Sequence, residues 1–349
     1  MDREILFESL VKNGIDFFDQ AIGEIEKNPK YSVIHYFAGL EILLKSRLLL
    51  EHWTLVYDEP QHANPDKFIK GDFRSVTFDE SIRRLRTITK TPISMDAERI
   101  FCRLRDHRNK LVHFFHPEYG PKASQEVVGA IVADACRVWL HMYRLLMGTW
   151  QDLYVKFDDQ LTTLNTKMLR LRAFLQVKYD AVKPDLEIGI KRGATILECP
   201  SCGFVAATFV NNFGAITETK CVVCDDVASQ LAIPCPKCST GIAVYDLGQG
   251  TCAKCHTSID IDDLINVFGV KQSPKEEMYE PAHAYCPNCE WVEQPTVVPY
   301  QDKFFCLICL TVYDYIDNCM WCGELNAGDM SNSFLDGCVM CEGRYSKED

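Results

Sequence analysis

Apolar positions recur at steps of three and four through the first half of the chain, then give way to short runs set around paired cysteines. Phe7, Leu10, Val11, Ile15, Phe18 and Ala21 fall on one helical stripe, which Asn28-Pro29 ends. A second helix spans about Tyr31 to Val56 and turns Phe37, Leu40, Leu43, Leu44 and Leu48 inward. The polar stretch from Asp58 to Gly71 holds Pro60 and Pro65 and reads as a loop. Thr77 with Glu80 has the spacing of a capping box ahead of Ile82, Leu85 and Ile88. Ser94, Asp96 and Glu98 open a further helix that runs to His113, before the break at Pro117, Gly120 and Pro121. From about Ser124 to Pro184 the stripe Trp150, Leu153, Phe157, Leu161, Leu164, Met168, Leu171 and Leu175 predicts one long final helix. It packs on the bundle by default, with a dimer seam as the alternative. The pattern predicts an all-α domain over residues 1–183.

Cysteine usage changes the picture after residue 198. Sixteen of the eighteen cysteines form eight Cys-x-x-Cys pairs. They are Cys199/Cys202, Cys221/Cys224, Cys235/Cys238, Cys252/Cys255, Cys286/Cys289, Cys306/Cys309, Cys319/Cys322 and Cys338/Cys341. Each pair is a tight knuckle presenting two sulfurs, and two knuckles complete an S4 shell suited to zinc. Sequential pairing leaves 18, 13, 16 and 15 residues between partner knuckles, lengths that fit a small hairpin. Phe204 to Val210 and Ala215 to Lys220, joined through Asn211-Asn212-Phe213-Gly214, read as one. The spacing resembles the zinc-ribbon fold and implies four structural Zn2+ sites, all closed, with no catalytic metal. A cross-braced pairing stays open, as does His256 as a substitute ligand. Gaps of 10, 30 and 9 residues between successive ribbons divide the array into ribbons 1 and 2 at 194–258, a linker at 259–284, and ribbons 3 and 4 at 285–349. The fold class expected is α plus small β modules. Cys102 and Cys136 stand apart in helical patterns and read as small core residues.

No run approaches the length of a membrane span, and the N-terminus has no export-signal pattern. With paired cysteines that points to a reducing, cytoplasmic setting. The net charge of −12 is uneven. Residues 1–193 hold 29 Lys+Arg against 27 Asp+Glu, a balance of +2; the remaining 8 and 22 give −14. Four thiolates on a zinc add about two negative charges per site. The acidic half is a poor grip for phosphate backbones, so protein recognition or autoinhibition is the expected role. Trp291, Tyr300 and Trp321 are its candidate anchors.

The helix before the break carries Leu104-Arg-Asp-His-Arg108-Asn109-Lys-Leu-Val-His113. Histidine can move protons near neutral pH, and arginine offers a planar fork of donors to phosphate oxygens. Asn109 and His113 are four apart on one helical face, so the amide could orient the ring. From Arg74 to Lys110 ten basic residues oppose five acidic ones, a net +5 that could draw in RNA. The run resembles the signature of the HEPN superfamily, and Gly39-Leu-Glu41-Ile-Leu-Leu-Lys45 is similar to the second helix of those domains. The resemblance covers roughly residues 1–180. It implies a metal-independent endoribonuclease, a regulated toxin or antiviral effector, leaving 2′,3′-cyclic phosphate ends. Arg108 and His113 would be catalytic and Asn109 would support them; Arg103, Arg105 and Lys110 would contact RNA. Two copies would join across a homodimer, and a protein trigger would bind the ribbons. Phe115 stands where some family toxins carry a modified tyrosine, so that control is not expected here. His107 and His116 read as surface residues, with His116 in reserve. The alternatives are a dimeric adaptor with an inactive bundle and a nucleic-acid-binding regulator.

Overall fold

The computed structural model describes residues 3–113, 125–244, 250–252, 254–268, 284–289 and 295–342, without the side chains of 113, 125–127, 241 and 243. The chain divides into two compact units, residues 1–184 and 185–349. No helix among the described residues is long and apolar enough to cross a membrane.

The first unit is helical. α1 (Arg3–Glu24) and α2 (Pro29–Glu51) form a hairpin around a four-residue turn, with Pro29 opening α2 where its missing N–H costs nothing. They approach closely because two glycines face the crossing. A Cβ on Gly39 would lie 2.9 Å from the Phe18 ring, and one on Gly14 would lie 2.8 Å from Leu43. A short α3 (Pro65–Lys70) crosses the expected loop, capped by Asn64. α4 (Phe78–Ile88) starts at the Thr77 cap, whose Oγ1 accepts from the Glu80 N–H at 3.3 Å. α5 (Met95–His113) starts where Ser94 Oγ accepts from the Ala97 N–H at 3.2 Å.

The long final helix is instead four pieces. α6 (Gln125–Arg144) loosens into a π turn at Leu145–Thr149, followed by the short α7 (Gln151–Tyr154), a 3-10 turn, α8 (Asp158–Leu169) and α9 (Arg172–Lys191). The break lets Trp150 turn fully inward and donate its indole N–H to Thr91 O at 3.1 Å. The apolar stripe survives the breaks except at Leu153, which is 40% exposed on α7. Trp150, Phe157, Leu161, Leu164 and Met168 are all buried in the unit's own core. α9 runs through Pro184 to Lys191, past the expected stop, on an exposed turn. Cys136 lies fully buried among Trp139, Phe18 and their neighbours, and burial pushes its thiol up to about 12.

The second unit is built from antiparallel strands. β1 (Ile196–Glu198), β2 (Val205–Phe213), β3 (Ile216–Cys221), β4 (Val227–Pro234) and β5 (Gly241–Val244) make one five-stranded sheet in sequence order. The β2–β3 hairpin is the one expected, but its turn is tighter: Phe213 pairs with Ile216, leaving Gly214 and Ala215 at the tip. β6 (Gly250–Thr251) and β7 (Ser258–Ile259) pair, and α10 (Ile261–Phe268) follows. β8 (Val297–Tyr300), β9 (Lys303–Cys306) and β10 (Val312–Tyr313) form a second sheet. β11 (Ile316–Asn318) pairs with β12 (Leu325–Ala327), and α11 (Ser333–Asp336) follows.

Two corrections to the expected layout follow. Residues 259–268 are not linker, because Ile259 and Leu264 are buried in the same cluster as Ile216, Leu231, Val298 and Phe305. The cluster therefore joins segments from both expected ribbon pairs. Tyr300 is its clasp, not an exposed anchor: its hydroxyl accepts from the Ala215 N–H at 3.0 Å, and its ring meets Phe213, Phe268 and Phe305. Gly214, at a φ of 58°, leaves space for that hydroxyl; a Cβ there would sit 2.5 Å from it. Ala284, at the far end of the expected linker, is also buried and bridges to Val297, while residues 269–283 and Trp291 lie outside the described residues.

Candidate metal centres and the Arg108 helix

All sixteen paired cysteines converge, four at a time, in sequential order: 199/202/221/224, 235/238/252/255, 286/289/306/309 and 319/322/338/341. Cross-bracing is excluded by this grouping. Within each group the sulfurs of facing knuckles stand 3.5–3.8 Å apart. A tetrahedron with metal–sulfur bonds of about 2.3 Å has edges of roughly 3.8 Å, so the donor set and its size fit a tetrahedral thiolate metal. The four groups could each hold one such ion.

The local fold explains the convergence. In each knuckle the chain must reverse immediately after its second cysteine, and seven residues there have positive φ: Gly203, Asp225, Ser239, His256, Leu310, Gly323 and Glu342. A backbone N–H just past the second cysteine then turns back onto the first cysteine's carbonyl, as Gly203 does on Cys199 at 2.8 Å and His256 on Cys252 at 2.8 Å. His256 thus serves as a turn residue, and the described ligand sets are complete without it. Three knuckles continue into a threonine whose hydroxyl meets the sulfur two residues back. The distances are 3.4 Å for Thr240 to Cys238, 3.1 Å for Thr257 to Cys255 and 3.2 Å for Thr311 to Cys309. The Thr257 hydroxyl and backbone, outweighing burial, lower Cys255 to about 6, which favours the thiolate a metal needs. This Cys-x-Thr repeat was readable in the sequence, but only the geometry gives it a role.

In the helical unit, α5 carries the other expected site. Arg108 stacks its guanidinium 5.3 Å above the Phe37 ring and donates to Asn109 Oδ1 at 3.0 Å. Asn109 therefore steadies the arginine in this structure. Lys110 is exposed. His113 ends the helix, and its side chain is outside the described set, as are Phe115 and His116.

The charges around the motif are less available than their sum suggests. Arg105 is bound by Asp79 and by Asp106, and Arg103 reaches Asp134 at 3.2 Å. Of the ten basic residues between Arg74 and Lys110, seven stand in ion pairs with carboxylates. His107 is not a surface residue: it is half-buried and meets Asp134 at 3.3 Å. Burial works to raise the Asp134 pKa, but bonds from His107 and Arg137, with the charge of Arg103, outweigh it and hold the carboxylate below its ordinary value. Asp134 and the Phe37 ring are the neighbours that sequence reasoning did not bring to the motif. The sole signal was an acid inside the apolar pattern of α6.

No protein-family model matches the chain, and no curated protein or solved structure matches it.

Proposed function

We propose that the helical unit is a metal-independent endoribonuclease of HEPN type, carried beside four zinc ribbons in which Zn2+ is structural. The supporting observation is the end of α5. There Arg108 is fixed by Phe37 and Asn109 five residues before His113, within an all-helical unit. Arg108 would hold phosphate oxygens while His113 moves the proton of the attacking 2′-hydroxyl or of the leaving 5′-oxygen. Five residues along a straight helix is a rotation of about 140°, so a second copy of the motif across a homodimer would complete the surround of one phosphate. Lys110 would meet the RNA backbone, and Arg103 and Arg105 would do so by exchanging carboxylate for phosphate.

The donor chemistry supports zinc: four thiolates with tetrahedral edges form a closed site that has no place for a reacting ligand. Zinc supplies folding energy there, on the order of 10–16 kcal/mol per site in comparable small modules. The acidic ribbons would recognise a protein trigger or restrain the nuclease, in the setting of a toxin or antiviral effector. Inducible expression in a bacterial host tests the reading. The wild type should arrest growth, while His113→Ala and Arg108→Ala at equal protein level should not. Equal arrest by wild type and His113→Ala contradicts it.

A further inference from the structure

The fourth cysteine module exposes four large apolar residues close in the chain to its ligand cysteines. Met320 lies inside the first knuckle, Met340 inside the second, and Phe334 and Leu335 lie on α11 between them. All four are exposed, at 68%, 42%, 54% and 65%. The backbone that carries them is tied together. Trp321 donates its indole N–H to Phe334 O at 2.8 Å, and the Met320 N–H donates to Ser333 Oγ at 2.9 Å, fastening the first knuckle to α11. The two knuckles meet through Cys322–Cys338 at 3.6 Å and Cys319–Cys341 at 3.7 Å. Scattered apolar side chains on a surface are ordinary, but two methionines, a phenylalanine and a leucine exposed within four residues of one tetra-cysteine group are not. Methionine adapts to varied shapes, and aromatic anchors dominate binding energy.

Charge selects the occupant. From Asp317 to Asp349 seven acidic residues (Asp317, Glu324, Asp329, Asp336, Glu342, Glu348 and Asp349) stand against two basic ones, Arg344 and Lys347, while Asp314 just before them is paired with Lys303 at 2.8 Å. A nucleic-acid backbone or an anionic lipid surface would be repelled. A second copy in a two-fold contact would set the same acids against themselves. We propose that module four is a docking surface for a basic amphipathic segment of a partner protein. Its apolar side chains would lie on Phe334, Leu335, Met320 and Met340, and its lysines and arginines would meet the surrounding carboxylates. This names a partner class for the recognition role proposed above. It stands apart from RNA cleavage, which is measured in the same samples so that the two readings fail separately.

The test uses the full-length, zinc-loaded chain and a fluorescein-labelled amphipathic peptide of leucine and arginine, followed by anisotropy. Its controls are a leucine/glutamate peptide of the same pattern and a serine/arginine peptide of the same charge. The leucine/arginine peptide should bind saturably and more tightly than either control. Phe334→Ser with Leu335→Ser should weaken it about tenfold or more, the loss expected when anchors are truncated. Asp336→Lys should weaken it by a smaller factor that shrinks as salt rises. Val210→Ser, which removes an exposed apolar residue from β2, should leave binding unchanged. Zinc content is read for every variant; should the double variant lose zinc, Met340→Ser is read in its place. Absence of saturable binding overturns the proposal, as does binding indifferent to the substitutions at full zinc content. Equal binding of the leucine/glutamate peptide overturns it too. A change in the chain's own oligomeric state on Phe334→Ser/Leu335→Ser would instead make a second copy the occupant, and would also overturn it.

Discussion

Arg84 shows how a charge is spent inside the helical unit. Its side chain is 7% exposed, donates to the carbonyls of Leu55, Tyr57 and Asp58 at 2.5–2.8 Å, and meets Glu80 at 2.7 Å. It thereby ties α4 to the segment after α2. Hydrogen bonds from Arg83, the larger cause, and from Arg84 outweigh burial and lower Glu80 to about 2 from an ordinary 4.5. A carboxyl depressed in the folded state contributes stability above its unfolded pKa and loses it as pH falls through the folded one. Glu80→Gln should therefore cost about 1–2 kcal/mol at pH 7, the range for a charged hydrogen bond with a buried partner. The gap to wild type should narrow between about pH 4.5 and 2. Urea unfolding followed by helical circular dichroism at pH 7 and pH 3 checks this; a gap equal at both would contradict it. Such residues also explain why counting charges misled. The +5 was arithmetically right, but ion pairing is a tertiary fact, and Asp134 reaches Arg103 and His107 from a helix far along the chain. The cysteines were legible because a Cys-x-x-Cys knuckle is local.

At the scale of elements, the knuckle is the unit that repeats, and the left-handed residue after its second cysteine is its cost. A non-glycine residue there costs roughly 1–2 kcal/mol, which a metal held by the four sulfurs would offset. His256 separates conformation from ligation, since asparagine tolerates the same backbone and a β-branched residue does not. His256→Asn should keep zinc affinity within about twofold of wild type, and His256→Val should weaken it by about tenfold or more, a backbone cost of a few kcal/mol. Competition with a coloured chelator measures both. Zinc loss in the asparagine variant would mean that the ring is a ligand. Helices with a single apolar stripe and a recognisable cap, α4 and α5, were legible with their starts, and α1 was legible by its stripe. The breaks between α6 and α9 were not. A stripe in steps of three and four is the same whether the helix is continuous or interrupted by a π turn, and only the demand of Trp150 for the core decides.

For the molecule as a whole, sequence reasoning found two regions of opposite character, and the structure resolves them into a helical unit and a β-rich unit with four tetra-cysteine groups. It did not find how the modules share a core. Ile216, Ile259, Val298 and Phe305 are separated by long stretches of chain, and no local period announces that they meet. The proposed function of the helical unit presumes that Arg108 and His113 cleave RNA. The most direct measurement incubates the zinc-loaded chain with end-labelled single-stranded RNA in magnesium-free buffer and maps the product ends. Cleavage leaving 2′,3′-cyclic phosphate and 5′-hydroxyl ends should occur, fall by about a hundredfold or more in His113→Ala, as for loss of a proton-transfer group, and fall less in Asn109→Ala. Cleavage that requires added magnesium, or that His113→Ala leaves intact, would contradict it.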